Sequence, residues 1–282
     1  MRVANLAGRA VLLAGDGAID IATASGGFLG PDPQAVFERW DELVAWTAVV
    51  EAEPEPYKEA DLGPAVPRPR QVFAIGVNYN DHAAEANVDV SQRPAWPPTF
   101  TKFPSCLTGP YAQVTLPSGF IDWEVELVAV IGRRARNVSA ADAWDHVAGL
   151  TIGQDLTDRI TQFTGPAPQQ YSLGKSYEGF GPIGPAVVSL DEIPEPDDLH
   201  IACTLNGETM QDGRTGEMIF TIPDLIEKLS AITTLHPGDV IFTGTPAGIG
   251  VTRTPAVSLK AGDELVSTIE GLGILRTTFK EA

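Results

Sequence analysis

The run Phe120 to Gly132, FIDWEVELVAVIG, sets acids at every second position, Asp122, Glu124 and Glu126, ahead of an apolar, β-branched stretch. Alternate residues of a strand share a face. Three carboxylates on one face repel one another and resist burial, and a hard divalent cation is one agent that relieves both costs. A further acid, Asp155 in LTIGQDLTDR, ends another apolar stretch. Glu124, Glu126 and Asp155 would offer three oxygen ligands and leave positions for water and substrate, which is how Mg2+ or Mn2+ is usually held. Asp122 and Asp158 are further candidate ligands. The same acids also fit a solvated strand edge, so the pattern alone leaves both readings open. The two cysteines, Cys106 and Cys203, lie far apart and give neither zinc-type spacing nor a disulfide framework.

Proton transfer needs a base. In NYNDHAAEA, Asn78 to Asp81 read as a turn leading into a short helix, which puts His82 and Glu85 on one face. A carboxylate beside an imidazole fixes its tautomer and raises its basicity, although a surface His–Glu pair has the same spacing. Arg159 and Gln162, one turn apart, and Lys175 in the Gly-rich LGKSYEGFGPIGP are donors able to grip a carboxylate or stabilise an oxyanion. The loop TGTPAGIG, Thr243 to Gly250, follows the strand-like DVIF and could turn backbone N–H groups toward an anion. It has neither the Gly-Lys-Ser/Thr ending of a P-loop nor a dinucleotide fingerprint.

The elements that must position these groups read as follows. Residues 1 to 66 form a small N-terminal unit: a hairpin in VLLAGDGAID, a helix within DPQAVFERWDELVAWTAVVEA, and the linker EPEPYKEADLGPAVPRPR as a boundary. From 67 to 282, short β-like runs (QVFAIGV, QVTLP, WEVELVAVIG, GPAVVSL, HIACTLNG, DVIFTG, DELVSTIEG) follow one another, with helices expected only near 81–87, 140–147 and 222–235. That is a β-rich α+β catalytic domain rather than an alternating βαβ fold. The 282 residues, 43% hydrophobic, support a sizeable core. No apolar run of the length needed to cross a membrane is present and no signal peptide is read at the start, so a cytoplasmic protein is expected. The net charge of −18 comes without a basic patch and excludes nucleic acid as a partner.

The order of these motifs, with IGVNYNDHAAE, FTKFPSCLTGP, LNGETMQ and HPGDVIFTGTPAGIG, resembles the fumarylacetoacetate hydrolase family over Pro69 to Phe279. Its short bacterial members include acylpyruvate hydrolases and 2-hydroxyhepta-2,4-diene-1,7-dioate isomerases. The resemblance implies a mixed β-roll or sandwich fold, a homodimer, and one Mg2+ or Mn2+ per chain on Glu124, Glu126 and Asp155. It implies substrate contacts from Arg159, Gln162, Lys175 and Thr245, and a His82–Glu85 dyad on a segment, 78 to 98, expected to order when ligand binds. The activity it implies is hydrolysis of a carbon–carbon bond in a 2,4-dioxo acid such as an acylpyruvate or fumarylpyruvate, through an enolate that the metal stabilises as a Lewis acid. His82 would activate water, and Lys175 with Arg159 and Gln162 would stabilise the oxyanion. Decarboxylation of an oxaloacetate-type acid, isomerisation of a 2-hydroxydienoate, and metal-dependent binding of a 2-oxo acid without turnover are the alternatives.

Overall fold

The computed structural model describes residues 1–89, 93–167 and 169–282. In chain order the strands are β1 (Arg2–Leu6), β2 (Arg9–Ala14), β3 (Gly17–Asp20), β4 (Glu55–Pro56), β5 (Val72–Ile75), β6 (Thr99–Thr101), β7 (Leu107–Thr108), β8 (Gln113–Leu116) and β9 (Ile121–Asp122). There follow β10 (Val125–Ile131), β11 (Val147–Gln154), β12 (Thr157–Asp158), β13 (Gly181–Val188), β14 (His200–Leu205), β15 (Glu208–Arg214), β16 (Val240–Phe242), β17 (Glu264–Ile269) and β18 (Gly273–Glu281). The α-helices are α1 (Ile21–Ala24), α2 (Trp40–Thr47), α3 (Asn80–Glu85), α4 (Arg159–Gln162), α5 (Tyr171–Gly174) and α6 (Ile222–Ile232).

Among the described residues, a large sheet runs β4-β3-β2-β1-β13-β11-β10-β16-β5-β6, with β7 also pairing with β13. A second sheet, β15-β14-β17-β18-β8, packs across it, and the short pair β12-β9 stands apart. The chain is a strand-rich α+β fold, as its patterning indicates. β10 explains the layering. Its Leu127, Ala129 and Ile131 face a core shared with Ile201, Leu265 and Leu275 of the second sheet and with Leu225 and Ile226 of α6. Its Val128 and Val130 face the opposite core, with Val187, Val240, Phe37 and Leu43. A strand covered on both faces reads as an unbroken apolar run.

Residues 1–66 continue the large sheet. β1 pairs antiparallel with β13, matching Arg2 to Val188 and Val3 to Val187, and Val3, Leu12 and Trp40 belong to the same core as Val128 and Phe242. The β2–β3 hairpin forms in VLLAGDGAID as expected. Two helices come out differently. The one expected within 32–52 is a 3-10 turn over Ala35–Arg39 followed by the short α2, and the one expected near 140–147 is 3-10 throughout. Several strands lie outside the expected runs, the longest of them β11, β15 and β18. β11 is apolar on both faces, so it lacks alternation; β15 is a polar edge; β18 carries exposed polar residues between its buried ones.

Candidate metal centre and active site

The strand that carries the acids is interrupted. β10 pairs with β11 as far as Val125 opposite Gln154, and β9 pairs with β12 from Asp122 opposite Thr157. Between them Trp123 and Glu124 leave the ladder, and the Asp155 amide donates to the Glu124 carbonyl at 2.9 Å. Two buried glutamines hold the break open. Gln154 Oε1 accepts from the Glu124 amide and Gln211 Oε1 from the Val125 amide, both at 3.0 Å. Glu124 and Asp155, 31 positions apart in the chain, thus become cross-strand neighbours.

As a result, oxygens of Glu124, Glu126 and Asp155 all lie within 4.8 Å of one another, and all three side chains are buried. Asp122 is not part of this group, although its place in the alternation suggested that it would be. Its carboxylate accepts from the amides of Gly250 (2.6 Å) and Val251 (3.0 Å) and pairs with Arg159. Asp158, the other additional candidate ligand, caps α4, accepting from the amides of Ile160 (3.1 Å) and Thr161 (3.2 Å). The cap fixes the start of the turn that carries Arg159 and Gln162 inward.

Three buried cations answer the acids. Lys175 Nζ donates to Glu124 Oε2 (2.6 Å), Asp155 Oδ2 (2.7 Å) and Thr157 Oγ1 (2.8 Å). Arg159 Nη2 lies 2.8 Å from both Asp122 Oδ2 and Glu124 Oε1, and its Nη1 donates to Gln162 Oε1 at 3.0 Å. Lys102, which sequence patterning did not single out, pairs with Asp155 Oδ1 at 2.6 Å. Among the described residues no cation pairs with Glu126; its Oε2 accepts from the Gly244 amide at 2.8 Å. Gly244 makes that approach at φ 97°, where an added Cβ would sit 2.7 Å from Asn78 Cβ, so only glycine serves.

The electrostatics follow from this inventory. Burial pushes the Glu124 carboxyl up, but Lys175, Arg159 and His82 outweigh it and hold the group at about 2. Burial, with Asp155 and Glu124 adding to it, pushes Glu126 well above the usual carboxylate range. Four carboxylates, Asp122 included, meet three cations, so full ionisation would leave one negative charge unbalanced, and the raised carboxyl of Glu126 holds a proton in its place. A buried group of hard oxygen donors, one of them holding a proton that a cation would replace, fits a divalent cation of the Mg2+ or Mn2+ type.

The base is beside it. On α3, His82 Nδ1 and Glu85 Oε1 are 2.7 Å apart. Glu85 Oε2 accepts from the Gly248 amide (3.0 Å) and from Thr252 Oγ1 (2.9 Å), while Asp81 Oδ2 accepts from the Ala247 amide (3.2 Å). Burial raises the Glu85 carboxyl, yet these bonds, led by the one from His82, keep it below its ordinary value. Here α3 is docked on the 244–252 loop; of the segment 78–98 expected to order with ligand, residues 90–92 lie outside the described ones. His82, Glu85, Glu124, Arg159, Gln162, Lys175 and Thr245 all line one cavity of about 420 Å³. Thr245 donates to the Val125 carbonyl and accepts from Gln211 Nε2, at 2.8 and 2.7 Å, which ties the wall to the strand break. Every residue singled out from the sequence as catalytic or substrate-contacting therefore reaches one cavity; of the metal-type acids Glu124 lines it, and Glu126 and Asp155 are buried next to Glu124. Gln154, Gln211, Thr157 and Lys102 were missed because nothing in their local sequence marks a buried polar partner.

The family described as Fumarylacetoacetate (FAA) hydrolase C-terminal matches residues 71–280. The chain belongs to that family, whose members are enzymes. Oxaloacetate tautomerase FAHD2A, mitochondrial, of Homo sapiens is 45% identical over 222 residues, covering 78% of this chain and 69% of that protein. A structure from Mycobacterium smegmatis, provisionally named an HpcE protein, superposes with a TM-score of 0.94 at 48% identity, covering all of both chains. Maleylpyruvate hydrolase from Sphingobium sp. SYK-6, solved with manganese(II) ion and pyruvate, superposes with a TM-score of 0.78 at 27% identity, again over all of both chains. Within the family, then, this chain is similar both to tautomerases and to hydrolases.

Proposed function

We infer that this enzyme moves a proton on a 2-oxo acid, and that its reaction is the keto–enol tautomerisation of an oxaloacetate-type diacid. The observation that carries this reading is the state of the donors around the cavity. His82, with Nδ1 held by Glu85, keeps Nε2 as the ring nitrogen that Glu85 does not engage. Lys175 has three N–H groups, and all three are taken by Glu124, Asp155 and Thr157. The proton-moving group is in place, whereas the principal expected oxyanion donor has no N–H to spare. The similarity to oxaloacetate tautomerases points the same way.

On this reading Glu124, Glu126 and Asp155 would hold one Mg2+ or Mn2+, which would supply Lewis acidity toward a 2-oxo acid. Glu85 keeps His82 in one tautomer and orientation; His82 Nε2 takes the proton of the enol hydroxyl and the resulting imidazolium gives a proton to C3, which regenerates the neutral ring. No water is consumed and no carbon–carbon bond breaks. Arg159, Gln162 and Thr245 line the wall and orient the acid, and Lys175 balances the charge of Glu124 and Asp155. A homodimer, implied by the family resemblance, accompanies this reading and is checked by sedimentation velocity.

The second reading is the carbon–carbon hydrolysis expected from the sequence, with His82 activating water. The named activity of the Sphingobium neighbour favours it. One assay separates the two. Decay of the enol absorbance of oxaloacetate is followed with Mn2+, with Mg2+ and with a chelator, alongside chromatography of products from acetylpyruvate and fumarylpyruvate. Metal-dependent enol decay without cleavage products supports tautomerisation. Cleavage of a dioxo acid with no effect on the enol overturns it in favour of hydrolysis.

A further inference from the structure

We propose that Lys102 is a positioning residue of the metal centre: its ammonium fixes the orientation of Asp155 and, through one carbonyl, the backbone of Lys175. The inference rests on reading Glu124, Glu126 and Asp155 as the metal ligands. Lys102 follows β6 and is fully buried, with no exposed side-chain surface. Its Nζ donates to Asp155 Oδ1 at 2.6 Å, to the Phe180 carbonyl at 3.2 Å and to the Lys175 carbonyl. These are the three bonds an ammonium can make. Lys102 is also absent from the cavity wall, so it neither meets a substrate nor has an N–H to offer one.

Asp155 is thereby held from both sides. Oδ1 takes Lys102, and Oδ2 takes Lys175. A carboxylate with one oxygen fixed cannot rotate about its own bond to present another geometry, and outer partners of this kind orient metal ligands and tune their affinity. The bond to the Lys175 carbonyl couples the two lysines. The same ammonium that sets Asp155 also sets the chain position from which Lys175 reaches Glu124 and Asp155. A buried ammonium is costly unless its pairing is nearly complete, and here each of its N–H groups has an acceptor. Its charge by itself would weaken cation binding, since it lies against a ligand. The proposal therefore assigns its benefit to the bonds it makes, and this fixes the sign of the test.

Mn2+ binding to Lys102→Met is measured without substrate, by electron paramagnetic resonance of free Mn2+ and by the rise in melting temperature on adding Mn2+. We expect affinity to fall at least about tenfold, the scale of lost outer-partner bonds, and the thermal shift to shrink with it. Affinity that is unchanged or tighter overturns the proposal, because the charge of Lys102 would then outweigh its bonds. Lys102→Met leaves Asp155 buried without a donor, so a second measurement covers poor folding. The melting temperatures of Lys102→Met, Asp155→Asn and the double variant complete a cycle. The double variant should be more stable than Lys102→Met alone, since both charges are gone. If it is equally unstable, Lys102 acts through the Phe180 carbonyl as a general fold contact and the proposal fails. Wild-type protein that binds no Mn2+ would refute the ligand assignment itself, and the same cycle would still decide whether Lys102 acts through Asp155.

Discussion

At Glu126 burial and charge work in the same direction. The side chain is buried, Asp155 and Glu124 stand close, and its hydrogen bond comes from a neutral amide. Its carboxyl therefore keeps a proton above the pH at which an exposed glutamate loses one. The folded chain then binds more protons than the unfolded chain, so stability from this group falls as pH rises above the ordinary glutamate value. Glu124 has the opposite sign. Held at about 2, it contributes stability that is present above the unfolded value and lost as pH falls toward 2. A divalent cation would displace the proton on Glu126. Calorimetric titration of Mn2+ just above the ordinary glutamate range should accordingly show proton release, read as a dependence of the observed heat on the ionisation enthalpy of the buffer. Glu126→Gln should abolish that dependence and lower metal affinity at least about tenfold. Wild-type affinity in Glu126→Gln would remove it from the ligand set. His82 has no carboxylate of the metal group as a hydrogen-bond partner, so His82→Ala should leave Mn2+ binding within about twofold and reduce enol decay by about 100-fold, the lower range for general acid–base catalysis.

Among the elements, α3 shows how a local sequence too short to be stable is kept in place. A helix of six residues does not persist by itself in water. Here Asp81 and Glu85 anchor it to the amides of Ala247 and Gly248 and to Thr252. Thr252→Val, which keeps the shape and removes one donor to Glu85, should speed amide exchange in 80–86 while leaving exchange in β10 and β11 unchanged; equal protection in both proteins would show that this bond does not hold the helix. The pairing of His82 with Glu85 on α3 was legible in the sequence because the two sit three apart on a helix with a visible start. Glu124 and Glu126 were legible by alternation, and Asp155 by its place after an apolar run. The same alternation misassigned Asp122, because it assumes a continuous strand. The break at Trp123 and Glu124 is held by Gln154 and Gln211, which come from β11 and from β15. Long-range pairing of this kind leaves no local pattern. The 140–147 segment was misread for the opposite reason, since its local composition allows a helix and the contacts of α6 impose a tighter turn.

On the scale of the whole molecule, one core joins residues on both sides of the boundary that composition suggests. The Pro- and Glu-rich stretch before residue 67 suggests a boundary, and 1–66 as a small N-terminal domain remains a proposal. The pairing gives that proposal a direct test. β1 covers the edge of β13, β13 pairs with β11, and β11 ends at Gln154, which props the Glu124 amide. Val3, Leu12, Phe37, Trp40 and Leu43 cover one face of Val128, Val187 and Phe242. Beginning the chain at residue 67 would bare that face and leave the β13 edge unpaired, the condition under which strands recruit other chains. We expect the shortened protein to bind a hydrophobic dye and aggregate, and the full chain to unfold in a single calorimetric transition. The metal centre should be lost along with the fold, because the strand break that forms it lies on the sheet thus uncovered. A soluble 67–282 protein with the melting temperature and Mn2+ affinity of the full chain would show instead that the N-terminal strands are a separable domain, and that the shared core adds little to the stability of the site.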